Sequence, residues 1–71
     1  MQRKMVSSSD LRSVGFDPEL NVLEIEFNSG GIYMYSGVPE YVYQELMTAS
    51  SKGRYFHANI KDKYSTYVIR K

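Results

Sequence analysis

The chain contains no cysteine, so neither a disulfide framework nor a thiolate zinc site is open to it. No apolar run approaches the roughly 18 residues of a membrane-crossing helix. Charge of one sign is not in excess: the net charge is +1, too little to indicate nucleic acid by itself. The single histidine, His57, would need further ligands to hold a metal or an orienting partner to activate a nucleophile. Sequence spacing supplies neither, so no metal, cofactor or catalytic residue is expected and the chain reads as a non-enzyme. The opening charges of Met1-Gln2-Arg3-Lys4 are followed by no apolar core, which argues against a secretory signal. These absences describe a reduced, soluble, cytoplasmic protein with no membrane role.

The 71 residues make one domain, 1–71, close to the size below which chains need staples to fold. Residues 1–6 and 70–71 are expected to be disordered. Charge is unevenly spread. Arg3, Lys4 and Arg12 face five acids within residues 1–38. Lys52, Arg54, Lys61, Lys63, Arg70 and Lys71 all follow residue 50, where Asp62 alone opposes them. The last third is a basic segment on a balanced domain.

Ser7-Ser8-Ser9-Asp10 reads as a polar lead-in to a first strand, from about Leu11 or Ser13 to Phe16. Asp17-Pro18-Glu19-Leu20 is a hairpin loop, with proline pre-setting the φ a turn requires. From Val22 to Phe27 apolar and acidic residues alternate strictly, the pattern of a half-buried strand. Glu24 and Glu26 then share one sheet face about 7 Å apart, a spacing that paired catalytic carboxylates use, but an open face offers no pocket to shift either pKa.

The next turn sets the register. If Asn28-Ser29-Gly30 is a three-residue loop with Gly30 left-handed, a bulge places Phe27 opposite Gly31, Ile25 opposite Tyr33 and Leu23 opposite Tyr35. Both tyrosine rings are then buried and Met34 is exposed. Phe27 is expected to cover the bare backbone of Gly31. Pro39 follows Ser36-Gly37-Val38 as the first helical residue, and Val42, Leu46 and Ala49 form the stripe that packs on the sheet. Ser50 or Ser51 ends that helix and caps a short second one, whose core contacts are Phe56 and Ile60. From Lys61 the chain is expected to run extended, anchored by Tyr64, Tyr67 and Ile69. The predicted fold is α+β: a three-stranded antiparallel meander on one helix, then a short second helix and an extended C-terminal segment.

In order and spacing these residues resemble the KTSC domain, a short module named for its place at the C-terminus of some lysyl-tRNA synthetases. It also occurs as a stand-alone small protein. The Y-x-Y centre falls on Tyr33 and Tyr35, the valine-proline start of the helix on Val38 and Pro39, and the Ser-x-Gly-x-x-Phe stretch on Ser51, Gly53 and Phe56, followed by Ile60 and Tyr64. Phe16 stands where tyrosine is commoner in such sequences. The resemblance implies no established activity, and its context implies a link to RNA.

Two binding surfaces are candidates. Lys52, Arg54, Tyr55, His57, Lys61, Lys63 and Tyr64 combine cations for phosphates with aromatics for unpaired bases, which points to RNA or single-stranded nucleic acid. Val22, Glu24, Ile32 and Met34 share the outer sheet face, which no second helix is available to cover. That face suits a partner protein or another copy of the chain.

Overall fold

The computed structural model describes residues 1–71, ordered β1 (Lys4–Met5), β2 (Leu11–Asp17), β3 (Val22–Phe27), β4 (Ile32–Ser36), α1 (Glu40–Thr48), α2 (Lys52–Asn59) and β5 (Ser65–Arg70). All five strands form one antiparallel sheet in the order β1-β2-β3-β4-β5, and the core fills the space between the sheet and the two helices. The three-stranded meander is present as the centre of a wider sheet. The correction lies at its edges. Lys4 and Met5 pair with Val14 and Ser13, and the C-terminal segment, expected to be extended and anchored only by side chains, pairs with β4 as a fifth strand. Two residues are too few to show a period, and Thr66-Tyr67-Val68-Ile69 does not alternate in polarity. What recruits β5 is its β-branched and aromatic content beside the unpaired edge of β4. Residues 4–5 and 70, expected to be disordered, therefore lie in strands.

The expected register holds, with Ile25 paired to Tyr33 and Leu23 to Tyr35. Of the two tyrosines, however, only Tyr35 is buried, and Tyr33 and Met34 are each half-buried. Gly30 is left-handed at φ 107°, and the Phe27 N–H donates to the Gly31 carbonyl at 2.8 Å, the geometry of a three-residue loop closed by a glycine bulge. The ring that lies on Gly31 is that of Tyr33, not of Phe27. A Cβ at position 31 would come within 2.9 Å of the Tyr33 Cε1. Phe27 instead meets the Tyr33 ring edge-on at 5.7 Å. At the other hairpin the loop is shifted by one. Asp17 still pairs with Val22, the loop covers residues 18–21, and Asn21 takes the left-handed position at φ 54°. Asp17 Oδ1 fixes it by accepting from the N–H groups of Glu19 and Leu20.

A register shift between Leu11 and Ser13 lets Leu11 and Val14 both reach the core, where each is fully buried. Leu23, Ile25, Tyr35, Val38, Val42, Leu46, Phe56 and Ile60 complete it. Pro39 sits just before α1 with an extended ψ of 152°, one position earlier than expected. Ser51 caps α2 by accepting from the Arg54 N–H. Gly53, a poor helix former, stands where a Cβ would lie 3.3 Å from that of Asp10, so the first turn of α2 packs closely on the Ser7–Asp10 loop. No helix is long and apolar enough to cross a membrane.

Candidate functional site

Helix α2 and the turn after it carry the seven basic and aromatic residues singled out from the sequence, and helical geometry disperses them. Tyr55 points toward α1, where its hydroxyl donates to Glu45 Oε1 at 2.6 Å. Burial, and then that hydrogen bond, push its phenol well above the ordinary tyrosine range. Tyr64 is half-buried against the core. Both rings are thereby committed to packing more than to solvent. His57 lies on a different face, its Nε2 3.4 Å from Asp10 Oδ2, with both side chains about half exposed. This orienting partner was invisible in the sequence, because the Ser7–Asp10 loop reaches α2 only through the fold.

The remaining four are cations. Lys52 is half-buried, and its Nζ donates to the Ala49 carbonyl at 3.4 Å. Arg54, Lys61 and Lys63 are exposed. None of the four forms an ion pair; Arg3, His57 and Arg70 are the bases that do. Arg54 and His57 border a cleft of about 510 Å³ whose other wall is Ser9, Asp10 and Ser51. Beside it Lys52 borders a cleft of about 350 Å³ lined otherwise by serines 7, 8, 9, 50 and 51. The serine loop is thus part of the basic surface, although its sequence suggested only a polar lead-in. Tyr41 was also missed. It is 64% exposed on α1, off the Val42–Leu46 stripe, and that position on the helix was the signal available.

A third cleft, of about 320 Å³, has aromatic walls from Phe27, Tyr33, Tyr35 and Phe56, with Lys61, Asp62 and Thr66 completing the lining. Tyr35 is 4% exposed, and burial above all, with the neighbouring Tyr33 and Asp62, pushes its phenol up to about 12. It stays a neutral O–H donor through the physiological range.

The outer sheet face departs from its expected openness. Val22, Glu24, Ile32 and Met34 do lie on it, with Glu24 opposite Met34 and Glu26 opposite Ile32, but the chain's own termini cover much of it. Met1, Gln2 and Arg3 cross Gly15 so closely that a Cβ there would lie 2.9 Å from the Gln2 carbonyl. Arg3 pairs with Glu24 and its Nε donates to Ser13 Oγ. Ser13 in turn donates to Glu26 Oε1, and that hydrogen bond is the first cause holding the Glu26 carboxyl below the usual range, with Arg12, Arg3 and Arg70 adding to it. Arg70 reaches Glu26 Oε2 at 3.3 Å. Ile32, paired between Glu26 and Arg70, is 6% exposed. The Glu24/Glu26 pair is held by arginines and a serine, not poised in a pocket. The one run of consecutive exposed large apolar residues lies instead at the sheet edge, on Tyr67, Val68 and Ile69, each about half exposed. Tyr67 and Ile69 therefore do not anchor the C-terminal segment through the core; its backbone pairing with β4 does.

The family model of the KTSC domain matches residues 7–64. A protein of Stutzerimonas stutzeri is 46% identical over 67 residues, 94% of either chain. A lysine–tRNA ligase of Nostoc sp. is 43% identical over 56 residues, which are 79% of this chain and 10% of the ligase. The crystal structure of a KTSC domain protein from Yersinia pestis superposes with a TM-score of 0.94 at 48% identity, covering 96% of each chain.

Proposed function

We propose that this chain, which belongs to the KTSC domain family, is a non-enzymatic binding module for RNA or single-stranded nucleic acid. The observation that carries the reading is the set of four cations on α2 and its following turn, Lys52, Arg54, Lys61 and Lys63, that no carboxylate pairs. Unpaired cations on one short segment attract phosphates without reading sequence. His57 and Tyr55 leave the proposed contact set, because Asp10 and Glu45 already engage them. The presence of a similar segment within lysine–tRNA ligases supports a partner of the RNA class.

The test is an NMR titration of labelled protein with short single-stranded RNA at two salt concentrations. Four phosphate contacts to a single strand give a log–log salt slope of about −3. Exchanging any one of the four cations for glutamine is expected to weaken binding alike for all sequences and to flatten that slope. Absence of chemical-shift change over residues 52–64 at low salt would end this reading.

A second reading, capture of a partner protein or self-association, is supported by the half-exposed Tyr67, Val68 and Ile69 on the edge strand β5. An edge strand offers unpaired N–H and carbonyl groups to another strand.

A further inference from the structure

Phe27 and Tyr33 meet edge-on, with ring centroids 5.7 Å apart, and Phe56 touches both Phe27 at 5.2 Å and Tyr35 at 5.7 Å. These four rings come from two strands and a helix, and they form the apolar wall of the 320 Å³ cleft. Its volume lies at the lower end of the roughly 300–1,000 Å³ typical of small-ligand pockets. We propose that this cleft receives one unpaired nucleobase of a bound single strand, a deepening that rests on the nucleic-acid reading above.

The chemistry of the lining selects the ligand class. Tyr35 and Phe56 are buried, whereas Phe27 and Tyr33 keep part of their surface accessible, so they offer ring area for a planar group to stack on. An aliphatic ligand would leave the polar groups of the cleft unused. A cationic ligand would meet the Lys61 ammonium. A neutral heterocycle attached to a phosphate uses every part. The rings stack, and the Tyr35 O–H donates to a ring acceptor. Asp62 and the Thr66 hydroxyl, whose own proton goes to the Tyr64 carbonyl, accept from amino or imino N–H groups. Lys61 and Lys63 are then free for the flanking phosphates.

The polar side of the cleft is also pre-set. The N–H groups of Ile60 and Lys61 both donate to the Phe56 carbonyl, and Lys63 donates to Ile60, which closes α2 in a fixed turn. Asp62 sits in that turn at φ 62°, a left-handed conformation that non-glycine residues seldom adopt and Asp and Asn tolerate best. Little ordering is left to be done on binding.

The experiment compares a short single-stranded RNA with an oligomer of the same length and backbone but abasic throughout. The base-bearing strand is expected to shift the Tyr33 and Thr66 resonances and to bind about 5- to 150-fold more tightly, the range of one stacked base, with the same salt slope. Thr66→Trp, which fills the cleft from an exposed strand position, should erase that difference. Asp62→Asn keeps the left-handed turn and should move base preference from amino-bearing bases toward uracil. If base-bearing and abasic strands bind equally, with shifts confined to residues 52–63, the nucleobase pocket is overturned while the phosphate reading stands. If nothing shifts at all, both fall.

Discussion

Tyr35 shows how one side chain joins packing to chemistry. Its ring closes the core against Phe56, so truncation to alanine should cost about 3–5 kcal/mol, enough to unfold much of a domain this small. Its hydroxyl makes stability depend on alkali. The folded-state pKa, at about 12, lies above the ordinary 10.0, so the neutral phenol contributes stability that is complete below 10.0 and is lost as pH rises toward about 12. Tyr55, shifted in the same direction, adds to this loss. Thermal midpoints measured across that window should fall for the native chain and fall less steeply for Tyr35→Phe. An identical pH profile in the variant would refute the assignment.

Among the elements, the two outer strands are held by different means. β1 spans two residues, and the segment before it is secured by side chains: Arg3 on Glu24 and Ser13, with the backbone lying across Gly15. Gly15→Ala would place a methyl group in that backbone. It is expected to expel residues 1–3 from the outer face and to free Glu24, while leaving the helices and central strands in place. Backbone hydrogen exchange and the Glu24 carboxyl resonance would report it, and an unchanged Arg3 environment would refute it. β5 is held by its ladder with β4 and by Arg70, whose guanidinium bonds Glu26 and the Gly30 carbonyl. All six of its residues are exposed. Deleting residues 65–71 should therefore open the β4 edge and uncover Ile32 with little loss of core contact.

For the whole molecule the question is which surface remains after the chain has covered itself. The sheet buries one face under the helices and much of the other under its own termini, leaving the α2 cations, the aromatic cleft beside them and the β5 edge. If copies associate through β5 and the adjoining outer face, Met34→Glu, opposite Tyr67, should leave the fold intact and abolish association, since a charge is costly in an apolar contact. Light scattering decides this: a native chain that stays monomeric at all concentrations excludes self-association.

Local rules in the sequence determined the central hairpins, the glycine-bulge register, both helices and the burial of Phe56 and Ile60. Alternation, turn glycine and helical spacing act over a few residues, so they can be read without a fold. The family could be read for the same reason, since its marks are short motifs at fixed spacing. Only the tertiary structure decided that the ends of the chain become strands, because β1 and β5 gain their hydrogen bonds from partners distant in sequence. It also separated residues that stand side by side in the sequence. Helical rotation sent Tyr55 to Glu45 and His57 to Asp10, while the turn closing α2 carried Lys61 and Asp62 to the rings of Phe27 and Tyr33. Pairings of that kind depend on how elements pack, and no periodicity within one segment encodes them.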